Sequence, residues 1–551
     1  MKRIAIIGGG VSGLSAAYAL EKQKKKGAEL NYVLFEAGSR LGGVIATERV
    51  DGFVIEAGPD SFLTEKPWAT DLCRELGLGD QLIASDDAER RTYILLNGRL
   101  VPLPDGLMFM VPTNFPAAFF SSLFSWPTKL RFLREWFYRP TPDLAESTAA
   151  EFVERHYGRE MVDRVADPLL SGVYGGSADE LSATSVLARF AEIEAKQGSL
   201  GRAMVAARKL QSLSTEQGSA GQPRAAVPPR SLFTSVKNGM QAIIDALVAQ
   251  IQESEQRLNT QVEAVNPEFG KWLVASSGRT EEFDGVIIAV PAHGAGELLR
   301  GQIPRISSEL EQIRYSSSIT VALAYDDKTR MSLPPGFGFL VPRTEGKRIL
   351  ACTFVHNKFP NRAPEDRALI RCFLGGSRDE EILQSSDVEI ASVVRSELQE
   401  ILGIADEPSF VKIFKWPHVM AQYTVGHKTR VERIRNIISS APGLALAGNA
   451  YLGIGVPDCI RSGSEAATKL LADLARRSAY LLNPKWSSTC SFMKSARSSR
   501  YMVARYFALS CTPIFPNAWS RLSVCANRDA SGRKSRLHIK CASVGFLPCK
   551  N

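Results

Sequence analysis

The chain opens on an unbroken apolar run, Ile4-Ala5-Ile6-Ile7, of the kind that fills a strand buried on both faces. Three glycines follow it. Residues 14–21 then take a helical pattern with Ala16, Ala17 and Ala19, residues 22–27 form a charged turn, and a second apolar run at 31–35 stops at Glu36. Strand, glycine loop, helix and strand in this order predict a βαβ unit. Apolar runs recur far along the chain at 283–290 and 444–447, the second leading through a glycine-rich loop into a predicted helix at 461–474. The strands of one parallel sheet are therefore scattered, and the domain they build is discontinuous. Strand-like runs at 319–325, 337–341, 349–355 and 369–374, with a helical stretch at 388–402, predict an antiparallel sheet backed by a helix. The fold class is α/β. A discontinuous Rossmann-like dinucleotide-binding domain takes residues 1–64, 231–302 and 411–474. A mainly helical insertion takes 65–210, a Ser/Gly/Pro-rich flexible linker 211–230, and an α+β domain 303–410.

Charge changes this picture only at the end of the chain. Formal net charge is +9, yet residues 475–551 hold fourteen Lys or Arg and one acidic residue. Of the chain's 67 basic and 58 acidic residues, 53 and 57 remain for the body, which is mildly acidic. The excess belongs to a basic, Cys-rich tail that lacks amphipathic periodicity and is expected to be disordered, so nucleic acid is not expected as a partner. Cys73, Cys352, Cys372 and Cys459 in the body and the six histidines show no metal-ligand spacing, and no metal is expected. A strand beginning at residue 3 leaves no leader ahead of the fold, which predicts a cytoplasmic location. Residues 107–139 carry ten aromatics, including Phe120, Trp126 and Phe137, but prolines at 112, 116 and 127 oppose a spanning helix. Two readings stay open for this segment: a membrane-surface contact edged by Lys129, Arg131 and Arg134, or the floor of an apolar pocket. A homodimer also stays open.

The candidate chemistry lies in three loops. Gly8, Gly10 and Gly13, with Val11 and Ser12 between them, have G-x-G-x-x-G spacing: a tight turn, a close backbone approach to a pyrophosphate, and close helix–strand packing. Glu36 ends the next strand, where a carboxylate can accept from ribose hydroxyls. Ala37, Arg40, Gly42, Gly43 and Val44 follow, and then Gly58-Pro59-Asp60-Ser61. The third loop is Gly448 and Asn449 through Ile454, Gly455 and Val456.

The EAGSRLGG segment with GPDS after it resembles the second glycine motif of the flavin-dependent amine oxidase and protoporphyrinogen oxidase superfamily. The AGNAYLGIGVPDCIRSG stretch at 447–463 resembles the C-terminal flavin motif of oxygen-dependent porphyrinogen oxidases, and PLLSGVYGG at 168–176 resembles their internal motif. The resemblance spans residues 1–474 and departs locally, with Ser177 where an aspartate is usual and Asn238 where a glycine is usual. It implies FAD, bound non-covalently, along all of these loops, with Val262 near the adenine. It also implies three two-electron oxidations of a porphyrinogen, coproporphyrinogen III or protoporphyrinogen IX, in heme biosynthesis. In each, hydride leaves a bridge carbon for the flavin and dioxygen is reduced to hydrogen peroxide. The chemistry is flavin-centred and no catalytic side chain is expected. Arg91, Gly172 and Tyr174 are the expected substrate contacts, Arg91 as a partner for a propionate. An amine oxidase or carotenoid desaturase shares the glycine motifs and is the alternative enzyme; a flavin-binding assembly protein is the alternative outside catalysis.

Overall fold

The computed structural model describes residues 1–140, 146–207 and 231–482. The linker expected at 211–230 and most of the tail lie outside the described residues. At its centre is a five-stranded parallel sheet. Its strands run in the order Glu255–Arg257, Leu30–Phe35, Lys2–Ile7, Gly285–Ile288 and Leu444–Leu446. The run at 4–7 works on both faces: Ile4 and Ile6 pack into one core with Leu34, Ile287 and Ala445, while Ala5 and Ile7 enter another with Val33, Phe35 and Val286. This two-sided burial follows from the period of two along a strand and explains why polar positions are missing. The helices Val11–Lys25 and Gln241–Gln250 and the long closing helix Val456–Leu482 supply residues to the first core. Val262–Glu268, Lys271–Ser276 and Arg279–Phe283 form a small antiparallel sheet against the second.

The second large sheet has seven strands in the order Phe410–Ala421, Tyr315–Tyr325, Ala368–Gly375, Ala351–Phe354, Gly338–Leu340, Thr92–Leu96 and Arg99–Pro102. Ile390, Val394 and Leu398 of the helix Asp387–Leu402 pack into its core, as the apolar pattern predicts. Three boundaries differ from the sequence reading. Residues 92–102, expected in the helical insertion, complete this sheet because Thr92, Tyr93 and Ile94 pair in parallel with Gly338, Phe339 and Leu340. Residues 411–421, expected with the parallel sheet, instead pair antiparallel with the strand Tyr315–Tyr325. The closing helix continues through Ala475 to Leu482, so the first residues assigned to the tail are helical: Arg476 pairs with Asp473 and Arg477 donates to the Pro442 carbonyl.

The described rest of the insertion is mainly helical, with short strands at Leu82–Ala84, Leu107–Met108 and Val111–Pro112. Helices Phe115–Phe120 and Trp126–Glu135 bury Ala118 and Phe132 but expose Phe120 (84%), Trp126 (65%), Leu130 (61%) and Phe137 (77%). Among the described residues no helix is long and apolar enough to cross a membrane.

Candidate active site

The first glycine loop divides its work among its glycines. Gly8 takes φ +105°, which side chains avoid, and a Cβ on Gly13 would lie 1.9 Å from the Gly8 carbonyl oxygen, so only glycine lets helix and strand approach this closely. Gly10 has nothing within 4 Å of the place a Cβ would take. It caps the helix Val11–Lys25 in an extended conformation, with no side-chain hydrogen bond and no acidic residue in the first turn. A glycine cradle at an uncapped helix N-terminus fits the phosphate end of a bound cofactor.

Glu36 accepts from the amides of Gly9 (2.7 Å) and Gly38 (2.7 Å), which holds its carboxylate at the end of the second strand. The segment toward Val262 runs alongside, since Asn259 and Thr260 donate to the carbonyls of Gly38 and Glu36. Ala37 is exposed there. Arg40, expected at a pyrophosphate, is also engaged within the protein. Its guanidinium donates to the carbonyls of Leu41, Gly43 (2.6 Å) and Ile45 (3.0 Å), lacing its own loop. That loop is bound to the first: Gly42 donates to the Gly9 carbonyl, and a Cβ on Gly43 would lie 3.3 Å from the Gly10 Cα. Val44 touches the next segment, because a Cβ on Gly58 would fall 1.9 Å from the Val44 oxygen. Pro59 is half-buried beside it. Asp60 is bound by protein: Lys358 Nζ lies 3.2 and 3.1 Å from its oxygens, and Ser61 Oγ donates at 2.7 Å. Burial alone would raise the Asp60 pKa, but Lys358 and Arg371 outweigh it and hold the carboxyl well below its usual range.

The third loop closes over the same side of the sheet. Gly448 takes φ +129° with open space at its Cβ position, and its amide donates to Ser462 Oγ. The Asn449 side chain is committed to protein, accepting from Tyr315 Oη at 3.3 Å and donating to the Val419 carbonyl at 2.8 Å. Tyr423 Oη donates to the Asn449 carbonyl (2.6 Å) and accepts from the Gly453 amide (2.8 Å). Ile454 is half-buried against the second core, Gly455 precedes the helix, and buried Val456 starts it. Ser12 meets this helix closely, since a Cβ on Gly463 would lie 2.0 Å from the Ser12 oxygen.

Of the expected substrate contacts, Gly172 and Tyr174 lie on the helix Asp167–Tyr174, and Arg91 lies just before the strand Thr92–Leu96. Tyr174 stands 6.1 Å from the Tyr423 ring, and burial pushes its hydroxyl pKa up to about 12. Gly172 is exposed near Leu340, whose strand pairs with Thr92–Leu96. Arg91 precedes that strand with an exposed side chain that has no hydrogen bond or ion pair among the described residues. Ser177, at the first departure, donates to Asp167 at 3.4 Å. Asn238, at the second, donates to Gln81.

The model of the flavin containing amine oxidoreductase family matches residues 11–471. The chain belongs to this family. Among relatives, coproporphyrinogen III oxidase of Bacillus subtilis (strain 168) is 33% identical over 476 residues, 86% of this chain and 98% of its own length. Protoporphyrinogen oxidase 2, chloroplastic/mitochondrial, of Arabidopsis thaliana is 29% identical over 495 residues, 86% of this chain and 94% of its own. A solved structure from Exiguobacterium sp. 255-15, assigned as a protoporphyrinogen oxidase, superposes with TM-score 0.74 at 32% identity, covering 86% of this chain and 99% of the other. Cyclohexylamine oxidase from Brevibacterium oxydans IH-35A, at 17% identity and TM-score 0.59, shares the fold over 86% of this chain and 99% of its own.

As a member of the flavin containing amine oxidoreductase family, the chain takes a flavin cofactor, and no protein atom outside the adjoining residues lies within 4 Å of the place a Cβ would take on Gly10 or Gly448. Sequence reasoning missed Tyr315, Tyr423, Lys358 and Arg371. The glycine motifs are local signals, whereas these four fix the loops from distant strands and helices, so spacing along the chain carries no trace of them.

Proposed function

We propose that this chain binds FAD non-covalently and oxidises a porphyrinogen to the porphyrin with three molecules of dioxygen, releasing three of hydrogen peroxide, in heme biosynthesis. The observation that carries this reading is the match along 98% of the Bacillus subtilis coproporphyrinogen III oxidase. When bound, the flavin supplies the hydride acceptor and the link to dioxygen. The protein's part is to bind and orient. Glu36 is held where it can accept from a ribose, Gly10 and the first helical turn receive the pyrophosphate, and Val262 lies toward the adenine. Gly448 and the loop fixed by Asn449 line the ring end. No cysteine lies between Ala447 and Leu452, and burial raises the Cys459 thiol to about 12, which keeps it protonated and supports non-covalent attachment. Tyr174 and Gly172 offer the ring edge an apolar wall, and Arg91, which has no partner among the described residues, offers a cation to a propionate. Coproporphyrinogen III, with four carboxylates, is the expected better substrate.

The exposed apolar side chains of Phe120, Trp126, Leu130 and Phe137, with Lys129 packed over the Trp126 ring at 5.1 Å, suit a face that rests on an anionic membrane surface. The decisive experiment purifies the yellow protein, denatures it to test for released FAD, and supplies each porphyrinogen aerobically. Porphyrin fluorescence should rise together with peroxide. A flavoprotein that turns over neither porphyrinogen but yields peroxide with amines would overturn the substrate assignment.

A further inference from the structure

Five charged side chains are gathered beneath residues 56–61, and no step of the oxidation uses them. Arg371, on the strand Ala368–Gly375, and Arg362 have side chains only 5% and 1% exposed; Glu56 is 4%, Lys358 10% and Asp60 16% exposed. Charges so far from water persist only when paired and hydrogen-bonded. Arg371 donates to the carbonyl of Gly58 and lies 3.7 Å from Asp60. Lys358 grips both oxygens of Asp60 and also reaches Ser61 Oγ at 3.1 Å. Arg362 lies 3.0 Å from Glu56 and donates to Ser235 Oγ at 2.6 Å, and Ser235 in turn donates to the Asp60 carbonyl at 2.6 Å. Trp416, from the far edge of the same sheet, donates to the Ala57 carbonyl at 2.8 Å. The carbonyls of three successive non-proline positions, Ala57, Gly58 and Asp60, are thus held by side chains from elsewhere in the chain.

A helix cap or a turn would satisfy such carbonyls with local groups. Here the donors on Ala57 and Gly58 come from the seven-stranded sheet, while Gly58 itself touches Val44, and Gly43 beside it touches Gly10. A continuous chain of contacts joins the centre of that sheet to the open cradle.

We propose that Arg371, acting through the Gly58 carbonyl and Asp60, is a positioning residue that sets the flavin-facing loops against the seven-stranded sheet, with Lys358 as its partner. The inference rests on flavin occupying the cradle at Gly10. A guanidinium suits the task because its rigid planar fork fixes the angle between its bonds to a carbonyl and a carboxylate, whereas an ammonium on a flexible stem does not. Replacing Arg371 by Met leaves a folded chain whose Gly58 segment loses its register to the sheet, and the flavin is bound less tightly and less rigidly.

The test compares apoprotein reconstituted with FAD for the wild type, Arg371→Met, Arg371→Lys and Asp60→Asn. Flavin affinity by fluorescence quenching and the visible circular dichroism of the bound flavin are read beside the urea midpoint of each apoprotein. Arg371→Met should weaken flavin binding about tenfold or more and flatten the visible dichroism; Arg371→Lys should recover part of both. Asp60→Asn in the Arg371→Met background should add less than it does alone, since the two residues share one interaction. If Arg371→Met does not fold, Arg371→Lys and Asp60→Asn decide alone. Folded variants with wild-type affinity and dichroism overturn the proposal, as do variants whose only change is a lower urea midpoint. A wild-type protein that binds no flavin overturns the cofactor assignment beneath it.

Discussion

The cofactor cradle and the outer face of the helical insertion are opposites in how they use side chains. Around the cradle, polar atoms are committed: Asn449 is bonded through both ends of its amide, Glu36 through both oxygens, and the carbonyls of Ala57, Gly58 and Asp60 each receive a donor. On the face around Phe120, Trp126 and Phe137, large apolar groups point outward, and their neighbours are chiefly each other, with Phe119 and Trp126 edge to face at 5.4 Å. The first region is held by many mutually consistent bonds. The second leaves apolar area in water that only a partner surface can remove.

The largest effect that would break this contrast lies within the cradle. Gly13→Ala must push a Cβ into the Gly8 carbonyl and should destabilise the apoprotein by ~3 kcal/mol or more, seen in urea unfolding. Gly10→Ala meets open space at a backbone conformation any residue can take, so the apoprotein should stay within about 0.5 kcal/mol of wild type while flavin binding falls at least tenfold. Equal destabilisation by both would show that Gly10 is packing and not cradle. Next in size is the outer face. The triple variant Phe120→Ser, Trp126→Ser and Phe137→Ser should keep its urea midpoint yet partition onto anionic vesicles at least tenfold less, since each ring removed from water contributes about 1.5–3 kcal/mol. A loss of stability without a change in vesicle binding would turn that face into core.

A smaller effect acts through pH within the helical insertion. Behind the exposed face, His156 lies between Glu135 (3.2 Å) and Glu194 (3.3 Å), and Arg155 pairs with Glu194. Burial disfavours the imidazolium, but the two carboxylates outweigh it and raise the His156 pKa. The folded ring therefore holds its proton more tightly than the unfolded one, whose value is near 6.5. Its contribution to stability is complete below that pH and fades as pH rises through the raised folded value. At the acid end the order reverses, because Glu194 sits below its usual range and loses its contribution as it protonates. His156→Gln should flatten the urea midpoint against pH on the alkaline side. The smallest expected effect is Arg91→Ala, a several-fold rise in KM for coproporphyrinogen III with flavin content unchanged, read by porphyrin fluorescence.

What could be read in advance follows the same division. The βαβ opening and the glycine loops were legible because each is built from neighbours in the chain. Strand pairing was legible only in part. Residues 92–102 carry a strand pattern, yet nothing in them names Gly338–Leu340 as partner, so the segment was grouped with the helices around it. The strand Phe410–Ala421 was grouped with Leu444–Leu446 because it precedes it, although its hydrogen bonds go to Tyr315–Tyr325. Asp60 stands in a recognisable motif, but its partners Lys358 and Arg371 are hundreds of positions away, so the ion pairs that hold it leave no trace in the spacing. Arg40 is similar: a cation beside glycines suggests a phosphate, and its bonds to the carbonyls of its own loop are not announced by the spacing.

The contact of Gly463 with Ser12 has a consequence in time. The ribosome delivers the strand Lys2–Ile7 first, but one of its neighbours in the sheet, Gly285–Ile288, emerges much later, and the edge strand and closing helix later still. The first glycine loop must wait through most of synthesis with its helix unsupported on one side. Domains commonly fold as units from the N-terminus while the chain is still growing. This one cannot close before the helix Val456–Leu482 has emerged, so flavin capture waits for that helix, and the apolar strands at 4–7 and 31–35 are most in need of protection until then.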